Sequence, residues 1–362
     1  MKLISLDALE PGKLLGRPIY NEKGTLLLGS GVAVTSRYLR RLKEMGYTSV
    51  YIHEKGYEDI EVKDVISDKT RREAVSAISE TFESVRASAS ADRDARVALD
   101  RGKVTNVADK IVDDLTSAGD QIMDLIDLKS FDNYTFLHSV NVSVLTVMTA
   151  YGTGKFTSID LRDLAMGALL SDIGKAHIPL EVVQKQGRLS VDEFRVMKKH
   201  PQIGYEILQH KSSMKPTVAS VALQHHEYFN GSGYPNALSS KNIHIFSRYT
   251  ALADVYDALT SDRCYKRRLP PHVGIEYLKL GRGTHFDPDT LDDFARHIAL
   301  YPAGSTVVLN SGERAVIVSN NPKKIDRPLV RVLTTPDGTE IAKPFEIDMA
   351  TNTEYQIQSV QF

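Results

Sequence analysis

The sequence predicts a multidomain chain: an all-α helical bundle core, a small α+β unit at the N-terminal end and a small β unit at the C-terminal end. Three observations carry that prediction. A chain of 362 residues is longer than one hydrophobic core usually serves. Apolar residues recur at helical spacing across the middle of the chain. Short β-branched runs separated by Gly and Pro turns fall at the two ends. The units implied are 1–62, a helical connector 63–130, the bundle 131–299 and the β unit 300–362.

In the first unit, residues 13–20 and 25–28 read as strands around a turn at 21–24. Thr35 or Ser36 caps a helix whose apolar face is Tyr38, Leu39, Leu42 and Met45; Gly46 ends it and 48–52 is a further strand. No chemistry-bearing cluster lies there, so the unit is scaffold or a sensor or docking surface. In the connector, Val75, Ile78, Phe82 and Val85 step by three and four. Val107, Ile111, Leu115, Ile122 and Ile126 do much the same, after a Ser-, Ala- and Asp-rich break at 87–96. Such helices either pack on their own domain or pair with a second copy of the chain. In the bundle, 137–148 is apolar almost all round and therefore central. Ser158 opens the next helix, Ser190 with Glu193 fits a capping box, and 217–226 and 246–259 are helices on either side of a loop at 230–235. Beyond Tyr301-Pro302, residues 307–309, 315–318 and 329–333 are strands, with turns at Ser311-Gly312 and 336–338.

Composition excludes several function classes. Lys and Arg number 45 against 46 for Asp and Glu, a net charge of -1, so there is no electrostatic footprint for a nucleic acid polymer or an anionic membrane. The single cysteine, Cys264, excludes an intramolecular disulfide framework and a thiolate zinc cluster. No apolar run reaches the ~18–20 residues of a membrane span. Asp7 comes too early for a signal peptide, and a reducing cytoplasm is the expected location.

The histidines carry the chemistry. Six of eleven, His138, His177, His200, His210, His225 and His226, fall within a quarter of the chain. One histidine on an apolar helix is usually a hydrogen-bonded core residue. Several on separate buried helices, together with buried aspartates, need a shared partner, because unpaired burial of such groups is costly. Asp172 ends a helical run and is followed by Gly174 and Lys175. Asp254 and Asp257 lie three apart on one face of an apolar helix; Asp257 suits support of a ligand slightly better than ligation. His225, His226 and Glu227 are consecutive and can converge on one site only where a helix ends. Nitrogen and carboxylate donors without thiolate suit iron, manganese, nickel or zinc rather than calcium. Two such ions about 3.5–4 Å apart form a phosphoester-hydrolysing centre. Lys175 and Arg263 are natural partners for phosphate oxygens.

At these residues the block resembles the HD-GYP family of cyclic di-GMP phosphodiesterases. The likeness runs through residues 132–142, Asp172-Ile173-Gly174-Lys175, Ile178-Pro179, His200-Pro201, His225-His226-Glu227, 231–235, 253–260 and 262–265. Each motif is weak alone; their ordered series is specific. The front unit is similar to domains that precede HD-GYP modules, whereas the tail carries no identifying motif. The resemblance implies an HD-type bundle in which His138, Asp172, His200, His225, His226 and Asp254 hold two divalent transition metals, with Asp172 bridging. It makes Asp172 and Lys175 catalytic. Lys175 and the Gly233-Tyr234-Pro235 loop would meet substrate or partners, and cyclic di-GMP would be cut to pGpG or GMP by hydroxide attack on phosphorus. Tyr134 stands where members with a third metal carry glutamate, so two ions are the upper expectation.

The family has histidine where this chain has Ser171. The ion held by His138, Asp172 and Asp254 is therefore expected to be weak or absent, while the one held by Asp172, His200, His225 and His226 keeps its set. His177 offers no obvious compensation, and Asn230 replaces a frequent aspartate. Two functions remain open: a phosphodiesterase of reduced activity, or an inactive cyclic di-GMP receptor or protein-interaction module that signals through its flanking units. The expected partners are cyclic di-GMP, signalling proteins docking on the Gly233-Tyr234-Pro235 loop or the front unit, and a second copy of the chain meeting it through the connector helices.

Overall fold

The computed structural model describes residues 1–20, 25–62, 64–88, 99–119, 134–261 and 268–361. In the N-terminal unit, β1 (Lys2–Ser5), β2 (Leu14–Leu15) and β5 (Ser49–His53) form an antiparallel sheet with β5 central. β3 (Ile19–Tyr20) and β4 (Leu26–Leu28) make a separate hairpin, and α1 (Ser36–Glu44) starts where the Thr35 hydroxyl accepts from the Tyr38 amide. The single strand expected at 13–20 is thus two strands in two sheets. Pro18 has no amide hydrogen to donate to a ladder, so pairing breaks there. The turn expected at 21–24 lies outside the described residues.

The helical core is α2 (Asp68–Ser88), α3 (Arg101–Ala118), α4 (Tyr134–Gly152), α5 (Ser158–Leu169), α6 (Leu180–Val183), α7 (Val191–Met197), α8 (His200–Glu206), α9 (Pro216–Gln224), α10 (Ile245–Thr260), α11 (Pro271–Leu280) and α12 (Pro288–Ala295). α4 is the axis. Val140, Val142, Val144, Leu145 and Val147 are all buried on it, together with the small polar residues Ser143, Thr146 and Thr149, so the helix is enclosed almost all round. α2, α3, α5, α10 and α12 pack around it. Thr157 with Asp160 and Ser190 with Glu193 close capping boxes at the starts of α5 and α7.

The described connector helices take one of the two arrangements expected of them, packing on their own domain. Val75, Ile78, Phe82 and Val85 on α2 and Val107, Ile111 and Leu115 on α3 are buried in the same core as α4 and α5. Among the described residues this apolar stripe is buried within the chain, and α2 and α3 extend the bundle. Ile122 and Ile126 lie outside the described residues. No described helix is long and apolar enough to cross a membrane.

The C-terminal unit is one antiparallel sheet of β6 (Thr306–Leu309), β7 (Arg314–Ser319), β8 (Leu329–Thr334), β9 (Glu340–Asp348) and β10 (Ile357–Gln361), in the order β10-β6-β7-β8-β9. It packs on the N-terminal unit. Leu3, Tyr51, Tyr57, Ile60 and Val62 form one cluster with Ala303 and Val316, and Arg331 reaches across to Asp59.

One close approach holds Asp172 and His200 side by side. The 3-10 turn Ile173–His177 lies flat on α8, and a Cβ at Gly174 would sit 2.0 Å from the His200 carbonyl oxygen and 2.6 Å from the Gly204 amide nitrogen. Only glycine permits that contact. Gly174→Ala is expected to cost about 1–3 kcal/mol in urea unfolding, the usual penalty for overpacking. An unchanged midpoint would mean that the turn can lift off α8 freely.

Candidate metal centre

Helix ends assemble this site. α5 finishes at Leu169, and Asp172 follows as the chain turns into the 3-10 segment. His200 is the first residue of α8. α9 finishes at Gln224, so His225 and His226 occupy its last, unwinding turn and need not point apart as on a regular helix flank. His138 comes from α4, and Asp254 and Asp257 from α10.

Asp172, His200, His225 and His226 each present a ligand atom within 4.8 Å of the others. Nε2 of His200 lies 3.3 Å and Nε2 of His225 lies 3.6 Å from Asp172 Oδ1. The two Nε2 atoms are 3.4 Å apart. Both rings are turned inwards by their outer nitrogens: His200 Nδ1 bonds the Met197 carbonyl at 2.8 Å, and His225 Nδ1 the carbonyls of Val221 and Ala222 at 3.1 and 3.0 Å. An Nδ1–H that donates to a carbonyl leaves the Nε2 lone pair free for a cation. Asp172 Oδ1 itself is buried and has no hydrogen-bond partner among the described residues. A naked carboxylate oxygen facing two imidazole lone pairs is what a divalent cation fits, and the donor set carries no thiolate.

A second group adjoins the first. Asp172 Oδ2 accepts from Lys175 Nζ at 2.6 Å and lies 4.0 Å from His138 Nε2. His138 bonds Asp254 Oδ1 through Nε2 at 2.9 Å and Asp257 Oδ2 through Nδ1 at 2.7 Å. His226 Nδ1 is 4.0 Å from Asp254 Oδ2. Asp172 therefore stands between the two groups, with one oxygen towards each. All six residues expected as ligands meet here.

Electrostatics differ between the two sides. Burial opposes ionisation of Asp172, but Lys175, His200 and His225 outweigh it and hold the carboxyl well below its ordinary range. Burial lowers the pKa of His200, and burial with the neighbouring His225 and His200 lowers that of His226 well below its usual value. Burial also opposes protonation of His138, but its bonds to Asp254 and Asp257 prevail and raise it to about 9. Asp254 is correspondingly lowered by His138 and His226 against the burial that would raise it.

Beside the site, Tyr234 stacks on the His226 ring with centroids 4.9 Å apart. Glu227 anchors the loop by accepting from the Asn236 and Leu238 amides at 2.7 and 3.0 Å. Its place is thus structural, as the base of the Gly233-Tyr234-Pro235 turn. A Cβ at Gly233 would fall 2.2 Å from the Tyr228 amide nitrogen, which confines that position to glycine.

Other residues stand apart. The Ser171 hydroxyl donates to the Ala168 carbonyl at 2.9 Å, back into its own helix. His177 bonds the Val85 carbonyl on α2 at 3.1 Å, and His210 packs against Tyr205. Arg263 lies outside the described residues. Sequence reasoning gave no role to Asn141, whose amide donates to Asp257 Oδ1 at 3.0 Å. The available signal was an amide side chain three positions after His138 on the same helix.

A cation taken by His138 must displace the proton shared with Asp254. Below about pH 9 that ring is protonated, so affinity for this cation should rise with pH, approaching tenfold per unit, until the ring's own pKa is passed. His200 and His226 are neutral near pH 7 and impose no such competition. Calorimetric Mn2+ titrations between about pH 6 and pH 9 check this; two equally flat profiles would refute it.

Comparison with known proteins gives the family to which these segments are similar. Residues 130–290 match the family model for the HD domain, and residues 306–361 that for a KOW domain associated with the HD domain. A cyclic di-GMP phosphodiesterase of Pseudomonas aeruginosa is 34% identical over 242 residues, 66% of this chain and 58% of that relative. The cyclic di-GMP phosphodiesterase response regulator RpfG of Xanthomonas campestris is 44% identical over 138 residues, 38% of this chain and 36% of that relative. The chain thus spans less than two thirds of the length of either. A solved HDG"Y"P protein of Bdellovibrio bacteriovorus aligns with a TM-score of 0.48 and 21% identity over 81% of this chain and 97% of that one. Residues 130–290 belong to the HD domain family, and residues 306–361 are a KOW domain of the kind that accompanies it.

Proposed function

We propose that this chain is a metal-dependent phosphodiesterase that hydrolyses cyclic di-GMP to pGpG and GMP. The observation that carries the reading is the buried, partnerless Asp172 Oδ1 facing the Nε2 atoms of His200 and His225, with the second oxygen of Asp172 turned towards His138 and Lys175. Its similarity to proteins named as cyclic di-GMP phosphodiesterases supplies the substrate.

Asp172, His200, His225 and His226 would hold one ion, and His138, Asp172 and Asp254 the other. Such ions, when bound, polarise a phosphoryl group and acidify water at neutral pH. The chain supplies the rest. Asp172 fixes the spacing of the two sides with one carboxylate. Lys175, partly exposed, is placed to neutralise a non-bridging phosphate oxygen, moving from Asp172 to the substrate. Tyr234, stacked on His226 and flanked by Lys198 at 5.7 Å from its ring, forms a flat wall suited to a purine. Burial of the His200 side excludes bulk water from the acceptor oxygens.

A receptor reading draws support from Ser171, whose hydroxyl is committed to the Ala168 carbonyl and so adds nothing to the His138 side. Turnover decides between the two. Purified protein loaded with Mn2+ or Fe2+ should release linear product from cyclic di-GMP, and chelation should abolish it. Ser171→His should raise the rate, and binding without product over hours in both proteins would leave only the receptor. Lys175→Ala should lower kcat/KM by roughly 10–1000-fold, the scale for losing a charged donor to the transition state, with ion content unchanged. Equal kcat/KM would remove Lys175 from the chemistry.

A further inference from the structure

His138 does not stand alone. Its Nδ1 bonds Asp257 Oδ2 at 2.7 Å, and Asp257 Oδ1 accepts from Asn141 Nδ2 at 3.0 Å. Asn141 Oδ1 in turn accepts from Arg71 Nη1 at 3.0 Å, and Arg71 Nη2 donates to Asp64 Oδ1 at 3.0 Å. The other oxygen of Asp64 pairs with Arg17 of the N-terminal unit. The path is continuous from the segment between β2 and β3, through the lead-in to α2, then α2, α4 and α10, to the ring on α4. Asn141 and Asp257 are fully or nearly fully buried, and Arg71 keeps little exposure.

We propose that Arg17, Asp64, Arg71, Asn141 and Asp257 form a positioning relay that fixes the His138 ring and links the ion it holds to the seating of the N-terminal unit on the bundle. The inference rests on the reading of His138 as an ion ligand.

Direction is built into the chain of bonds. Arg71 can only donate, so Asn141 must turn its oxygen to Arg71 and its amide to Asp257. Asp257 must then accept from both Asn141 and the Nδ1–H of His138. That fixes the tautomer in which Nε2 carries the lone pair a cation needs. Charges alternate along the path: Arg17 and Arg71 flank Asp64, and Asp257 lies beyond. Removing Arg17 leaves Asp64 to pull Arg71 alone and loosens Arg71 on Asn141. Low dielectric around Asn141 and Asp257 makes each bond matter more than on the surface.

The test titrates the full-length chain with Mn2+, following free ion by EPR and bound ion by metal analysis. His138→Ala identifies which equivalent that ring holds. Asn141→Leu should weaken this equivalent about 10–100-fold, the usual effect of losing a ligand's support. Arg17→Ala should weaken it roughly 2–30-fold, and Arg17→Lys less. The equivalent on His200 and His225 should not change. Tyr20→Phe, which removes the Tyr20–Asp68 bond at the same interface but off the path, should leave both unchanged. Circular dichroism and the thermal midpoint confirm folding. If Asn141→Leu does not fold, the Arg17 pair decides alone.

Wild-type affinity in Arg17→Ala and Asn141→Leu overturns the relay, as does equal weakening by Tyr20→Phe. If His138→Ala loses no ion, the relay falls while the site on Asp172, His200, His225 and His226 stands. If the wild type binds no ion, the proposed function itself falls and takes the relay with it.

Discussion

The site depends on a carboxylate buried among imidazoles. Asp172 is 3% exposed, one oxygen satisfied by Lys175 and the other without a hydrogen-bond partner among the described residues. Two imidazole nitrogens face that second oxygen at 3.3 and 3.6 Å, too far for a strong charge-assisted bond and well placed around a cation. Leaving such an oxygen dry and without a hydrogen bond is unfavourable by about 1–3 kcal/mol, the usual cost of a buried unsatisfied acceptor. The surrounding architecture makes sense against that penalty. The turn after α5 is pressed on α8 through Gly174, α9 unwinds at His225, and Met197, Val221 and Ala222 lend carbonyls that aim the rings. Each feature holds a donor towards Asp172, and none improves the apolar core.

Much of this was legible in the chain. The residue pattern placed α4 at the centre because it is apolar almost all round, and such a helix is stable where it is enclosed. The histidines could be grouped because their spacing falls at helix ends, where consecutive side chains can converge. Less legible were β9 and β10. β9 is mostly exposed and carries Pro344, as an edge strand tolerates, so it has no alternating apolar signature. Periodicity also could not say what α2 and α3 pack against. An apolar stripe of this spacing looks the same whether it meets a neighbour in the chain or in another copy, and here Ile78 and Ile111 meet the chain's own core. The role of Asn141 was hidden for a similar reason. Its two partners, on α2 and α10, are 70 and 116 residues away.

The flanking units are not independent attachments. The N-terminal sheet and the C-terminal KOW sheet share a cluster around Tyr51, and the Leu3 amide donates to the Gly304 carbonyl at 3.0 Å. Arg331 on β8 meets both Asp59 and Glu346. The chain therefore returns to its beginning after completing the bundle. A displacement of the N-terminal unit has to move the KOW sheet as well, or break this cluster of seven buried side chains.

The two halves of the metal centre are braced by different means, and that difference has a consequence. Backbone carbonyls of α9 and of the segment leading into α8 aim His225 and His200. Those carbonyls move only if the helices move. A chain of side chains reaching the first unit aims His138. Side-chain bonds exchange without unfolding a helix, so the His138 side is the half that a change in the flanking units can reach. Ser171, whose hydroxyl is committed to the Ala168 carbonyl, adds no donor to that half. An ion held strongly by its own ligands responds little to its surroundings, whereas one held near the edge of occupancy would respond to a small change in the aim of one ring. On the proposed reading, any control over the centre would act on the cation held beside His138, while the donors on His200 and His225 keep the aim that backbone carbonyls give them.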